Sequence, residues 1–180
     1  MIKLPIKKFI IYIISVCVLF ALPIYTIIVN SDTLKDGATY YFKIEAYDPY
    51  DMFRGNYLNI AFEEDTVLAY SDYLDIDYDD KCYVTIGVKD NGYAYFKKIS
   101  KEAPTDTSAY YETTASYYSW RDGYMLSTPT RYYMNENKSL SAEEYLNDNI
   151  ENAYVKVRVK NGKMVIVGVY VNNILIDTID

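Results

Sequence analysis

Residues 153–171 read AYVKVRVKNGKMVIVGVYV. The two halves, 153–160 and 164–171, are rich in β-branched and aromatic residues with partial alternation, the pattern of half-buried strands. Asn161-Gly162 between them is the strongest short-range hairpin signal, because a two-residue type I′ turn needs positive φ at both central positions. The stretch therefore predicts an antiparallel pair of strands.

Outward from this hairpin the same signal recurs. ATYYFKIEAY (38–47), YLNIAFE (57–63), CYVTIGV (82–88), YAYFKKI (93–99) and ILID (174–177) all read as strands, and Asp90-Asn91-Gly92 marks a second hairpin. SAEEYLNDN (141–149) predicts one short helix, with Ser141 as N-cap and Glu144 at the capping-box position. Residues 103–130 are rich in Ser, Thr and Tyr and read as a long loop, functional or mobile. Within it, ASYYSWRDGYML is also compatible with a hairpin turning at Arg121-Asp122-Gly123. The fold class expected is mainly β: an N-terminal transmembrane helix, then an antiparallel β-sheet or barrel-like domain with one short helix near 141–149.

The helix expectation comes from the first thirty residues. They carry Lys3, Lys7 and Lys8 and no acid, and Phe9 to Val29 holds no formal charge. At 1.5 Å per residue that run spans about 31 Å, the thickness of a hydrocarbon core. TIIVNSD lacks the small-residue exit of a cleaved signal peptide, and ISVC before Cys17 lacks a lipobox, so the run reads as an uncleaved single-pass anchor. Lysines on the N-terminal flank keep that end cytoplasmic. The expected organisation is a cytoplasmic 1–8, a membrane anchor 9–29 and an extracytoplasmic β-rich domain 31–180. Cys17 and Ala21, small residues four apart, suit a helix–helix contact.

Composition narrows the chemistry. The 180 residues include no His, which removes the commonest general base and metal ligand. Cys17 and Cys82 form no metal or redox motif. Residues 31–180 carry 15 basic and 25 acidic side chains, a net charge of −10, which repels nucleic acid and anionic lipid. The 23 tyrosines suit a β-rich domain with half-buried Tyr positions, or an aromatic binding surface.

Three constellations bear on chemistry. In DYLDIDYDD, Asp75, Asp77 and Asp79 have the spacing of a calcium loop, giving a weak cation site at most, since Asp80 and Ile86 stand where Gly and Glu belong; a solvated acidic loop is the simpler reading. STPT (127–130) distantly resembles the serine box of membrane-bound signal peptidases, with Lys97, Lys98 or Lys101 as conceivable bases. In that family the nucleophile precedes the Gly-Asp strand, whereas Ser127 follows Gly55. No pair of carboxylates stands in an apolar context that would raise one pKa.

The third is DPYDMFRGNYLNIAF (48–62). Asp48-Pro49 starts a turn, and Gly55-Asn56 tolerate positive φ just before the strand. Leu58, Ile60 and Phe62 point to one face, Tyr57, Asn59 and Ala61 to the other. Asp48, Asp51 and Arg54 bridge the corner, where a buried Arg54 would make charge-assisted bonds that fix the loop. The corner is structural or binds a partner.

This stretch resembles the GDYXXLXY family of bacterial membrane-anchored proteins. Asp48, Pro49, Asp51, Arg54, Gly55 and Tyr57 match its motif; Asn56 replaces an Asp, Ile60 a Leu and Phe62 a Tyr. RYYMNENKSLSAEEYL is similar to a later aromatic segment of the family, through Arg131, Tyr132, Tyr133, Met134 and Glu136. The resemblance implies an anchor and a β-rich domain, no assigned catalytic residue, and frequent proximity to polytopic membrane proteins. An amide at Asn56 in place of a carboxylate argues for a turn residue rather than a catalytic one.

The function expected is a single-pass, extracytoplasmic, non-catalytic accessory or interaction subunit of a membrane complex. Its partners are the lipid bilayer through 9–29 and a polytopic membrane protein, with no nucleic acid. No catalytic residue, cofactor or metal is assigned. The alternatives are an anchored hydrolase of signal-peptidase type and a ligand- or cation-binding sensor using 72–80 and the Tyr-rich segment.

Overall fold

A computed structural model describes residues 6–45, 57–68, 76, 80–118 and 122–179. The first element is α1 (Ile6–Asp36), which runs through Pro23 without a break. It is long and apolar enough to cross a membrane. Its side chains from Phe9 to Ile28 are largely exposed, so none of the other described residues covers the stripe.

The helix continues past Val29, the end of the apolar run, and the extra turns are held by the β domain. Thr33 is 1% exposed. Arg158 donates to the carbonyls of Leu34 and Lys35, the latter at 2.7 Å. Lys160 lies 2.9 Å from Asp32 and 3.4 Å from Asp36. Arg158 meets carbonyls that a helix end leaves unpaired, Lys160 meets carboxylates of the last turns, and both cations complement the helix dipole. Gly37 then donates its N–H to the Thr33 carbonyl at 2.9 Å. A Cβ at Gly37 would lie 2.4 Å from that same oxygen, so the joint requires glycine.

The chain enters β1 (Ala38–Glu45) directly. The hairpin predicted at 153–171 is present as β10 (Ala153–Lys160) and β11 (Lys163–Val171), paired antiparallel from Ala153↔Val171 to Lys160↔Lys163. Asn161 and Gly162 have φ of 49° and 79°, as the turn demands. With β3 (Ala61–Phe62) and β12 (Ile174–Leu175) these strands form a sheet in the order β12-β11-β10-β1-β3. The strand expected over 174–177 stops at Leu175. Asn172 and Asn173, both at positive φ, turn the chain back, and Ile176–Thr178 then coils as a 3-10 turn that buries Ile176.

A second sheet contains β4 (Thr66–Leu68), β5 (Lys81–Val88), β6 (Ala94–Ser100), β7 (Tyr110–Tyr118) and β8 (Gly123–Leu126), in the order β4-β8-β7-β5-β6. The expected long loop over 103–130 is thus corrected at 110–118 and 123–126, which are strands. β7 is the middle strand, and it pairs with β8 from Ala115↔Leu126 to Tyr118↔Gly123. The hairpin reading of that segment holds, with Asp122 at φ 46°. Thr113 and Ala115, the buried residues of β7, are too small to give a strong apolar pattern.

A third pair joins β2 (Tyr57–Asn59) to β9 (Arg131–Tyr133). α2 (Glu136–Asp148) starts earlier than the expected 141–149. Ser141 is therefore not its N-cap; it sits inside the helix and donates to the Lys138 carbonyl at 3.2 Å.

The two larger sheets curl into a nearly closed barrel. Glu112 donates to the Gly162 carbonyl at 2.8 Å, linking β7 to the tip of the long hairpin. The chain passes from β3 to β4 through the turn at Glu63-Glu64, and β4 lies beside β6. Inside, Phe42 stacks on Phe96 at 5.0 Å and meets Phe62 edge-on at 5.2 Å. Val84, Tyr124, Val155, Val157 and Val169 fill the rest. Each fully buried side chain of this size contributes about 1.5–3 kcal/mol relative to exposure.

Candidate interaction site around the motif strand

Asp48, Pro49, Asp51, Arg54, Gly55 and Asn56 lie outside the described residues, as do Asp75, Asp77 and Asp79 of the acidic run. The described part of the motif is the strand that follows the corner. Leu58, Ile60 and Phe62 are 1%, 0% and 2% exposed, whereas Tyr57, Asn59 and Ala61 are half-buried, the alternation read from the sequence. This segment changes partner along its length. Tyr57 to Asn59 pair with β9, Ile60 donates to the Thr130 carbonyl at 2.9 Å, and Ala61 and Phe62 pair with β1.

The pairing brings together the two stretches that carry the family resemblance. Tyr57 lies opposite Tyr133 and Asn59 opposite Arg131, so all four share one face. The Tyr57 and Tyr133 rings meet edge-on at 5.7 Å, and the Arg131 guanidinium sits 5.0 Å from the centre of the Tyr57 ring. Tyr133 is 67% exposed. Stacked Tyr and Arg present large, rigid contact area with a polar tip, the composition enriched at protein interfaces.

The opposite face is structural. Tyr132 turns inward and donates to Asp177 Oδ2 at 2.7 Å. Burial and this bond to a carboxylate push the Tyr132 phenol well above its usual value. Asp177 Oδ1 is buried and makes no hydrogen bond among the described residues. Lys138 on α2 donates to the carbonyls of Asp177 and Ile179, at 3.4 and 3.2 Å, and so holds the C-terminal turn against the helix. The link between Tyr57 and Arg131 was not read from the sequence. Its only signal was that both segments were aromatic; their pairing is tertiary.

Ser127, Lys97, Lys98 and Lys101 are all exposed, and no hydrogen bond joins Ser127 to any of these lysines among the described residues. Ser127 serves through its backbone: its carbonyl accepts from Thr113 at 2.6 Å and from Tyr111 at 3.1 Å. Among the described residues no group of Cys, Asp or Glu is arranged to hold a metal ion. A cleft of about 460 Å³ opens between β4 and β6, with Glu63, Glu64, Asp65, Leu68, Tyr95 and Lys97 on its walls. Glu64 there pairs with Lys89.

A family model described as "GDYXXLXY protein" matches residues 19–169. No curated protein and no solved structure matches the chain.

Proposed function

The chain belongs to the GDYXXLXY family, and from that premise we propose that it is a membrane-anchored, non-catalytic accessory or interaction subunit of a membrane complex, with its β domain on the extracytoplasmic side. The observation that carries this reading is α1: apolar and exposed along most of its length, yet locked at its last turns to the barrel by Arg158 and Lys160. A stripe of exposed Ile, Leu and Phe on that scale needs lipid or another apolar helix around it. The lysines at its N-terminal end support a cytoplasmic N-terminus. Tyr57, Arg131 and Tyr133 supply a surface suited to a protein partner, and the absence of His fits a role without acid–base catalysis.

Isolation of the full chain from membranes in mild detergent is expected to recover a membrane protein in stoichiometric amount. Tyr133→Ala, at an exposed position, should lose that partner by about tenfold or more while Tm stays unchanged, the behaviour of an interface hot spot. Repeated isolation of the chain alone overturns the proposal.

A further inference from the structure

The net charge of −10 over 31–180 repels an anionic bilayer, but the end of the barrel beside α1 does not share that charge. Apolar composition stops at Val29, and α1 runs on to Asp36, seven residues or about 10 Å further. The polar layer on each side of a hydrocarbon core is about 5–8 Å deep. β10 and β11 pack on these last turns. Lys160 reaches Asp32 at 2.9 Å, Thr33 is buried, and Val29 itself is half-buried. The tip of the long hairpin, 160–163, thus comes down close to the end of the apolar run. With α1 across a bilayer, that tip stands among the headgroups.

At the joint itself four cations, Lys35, Arg158, Lys160 and Lys163, stand against two acids, Asp32 and Asp36, an excess of two positive charges. Lys81 and Glu112, 2.8 Å apart beside the tip, cancel each other. Lys160 is taken up by the two aspartates, whereas Arg158 donates to carbonyls and keeps its charge uncompensated. Lys35 and Lys163 are exposed and make no hydrogen bond or salt bridge among the described residues. Half-buried Tyr110 lies against the tip, where a Cβ at Gly162 would stand 3.0 Å from its ring. Lysine and tyrosine suit the polar layer of a membrane, since each carries an apolar body and a polar end.

We propose that the tip of the long hairpin and the last turn of α1 form a site for anionic phospholipid headgroups, with Lys35 and Lys163 each meeting a phosphate. A zwitterionic headgroup carries the same phosphate but cancels it with its own cation, so the site selects lipid by net charge. The acidic surface of the rest of the domain repels the bilayer, which keeps this end turned toward the lipid. The site rests on α1 crossing a membrane, as proposed above, but not on the accessory role: failure to find a protein partner leaves it standing. It lies in the leaflet from which the domain emerges, whereas Lys3, Lys7 and Lys8 belong to the opposite end of the apolar run.

The test places the full chain in phosphatidylcholine vesicles with a trace of spin-labelled phosphatidylglycerol or spin-labelled phosphatidylcholine, and measures how much of each the protein immobilises. Phosphatidylglycerol should be favoured, less so with added salt. The double variant Lys35→Gln/Lys163→Gln should lower that preference about fivefold, the worth of one lysine at an anionic surface. Its Tm should not move, because both side chains are exposed and unbonded. Lys156→Gln, about 13 Å further up β10 and so beyond a Debye length, should keep the parent preference. Any share due to Lys3, Lys7 and Lys8 persists in both variants. An undiminished preference in the double variant, or an equal drop in Lys156→Gln, overturns the proposal and leaves the anchor standing. Release of the parent chain from the vesicles by alkaline carbonate overturns the anchor, and the lipid site with it.

Discussion

Phe62 stands where the family motif ends in tyrosine, and its surroundings account for the change. The ring is 2% exposed and packs between Phe42 and Phe96. A hydroxyl there needs a partner, and one left unsatisfied costs about 1–3 kcal/mol. Tyr132 shows the opposite case, a buried phenol whose partner is supplied by Asp177. Its folded-state pKa is raised, so below its ordinary value near 10 the bond contributes its full stability. As pH climbs past that value the unfolded chain gives up the proton that the fold retains, and the contribution declines. Tyr111, raised by burial, acts in the same direction. Tyr132→Phe should therefore lower Tm at neutral pH, with the gap to the parent chain narrowing between about pH 10 and 12. A gap that stays constant across alkaline melts would refute this account. The alternation of Leu58, Ile60 and Phe62 was legible because period 2 is written locally; the Tyr132–Asp177 bond was not, because it joins residues far apart in the chain.

At the scale of elements, legibility followed the size of the inward side chains. The hairpin at 153–171 shows Val155, Val157 and Val159 against Lys156 and Arg158, and its turn is spelled Asn-Gly. β7 faces inward with Thr113 and Ala115, and so was read as part of a loop. The end of α1 lies beyond its apolar run for another reason. Apolar composition ends at Val29, but the helix ends where Arg158 caps its carbonyls, and that cap arrives from the far end of the chain. Likewise Lys138, ahead of Ser141, is drawn into α2 by its bonds to the C-terminal turn. Removing the cap should fray only the helix end. Arg158→Ala is expected to cost about 1 kcal/mol and to speed amide exchange at Gly37, whose N–H closes the last turn. Unchanged exchange there would mean that Thr33 burial alone holds the joint.

At the scale of the whole molecule, the sequence showed a long apolar helix and an antiparallel β domain, and the structure adds how the two sheets meet. Closure runs through Gly162, which receives the Glu112 N–H, and through the short β3–β4 passage after the motif. These joints depend on curvature of the entire sheet, which no local pattern records. The proposed sidedness has a direct measurement. Cys17 lies within the apolar helix; Cys82 is fully buried, and that burial pushes its thiol up to about 11, so both should resist alkylation. Lys98→Cys then offers one reactive thiol on the exposed surface. An impermeant maleimide should label it in intact cells; labelling only after lysis would put the domain on the cytoplasmic side.

The joint at Gly37 bears on what the domain can reach. One residue separates the last helical turn from β1, so with α1 embedded in lipid there is no slack to pay out. The barrel then rides at a fixed height, and whatever it grips must come within roughly 40 Å of the bilayer, the span of a compact domain of this size. Encounters with another membrane protein become a search in two dimensions at matched heights, which raises their effective concentration without any new contact.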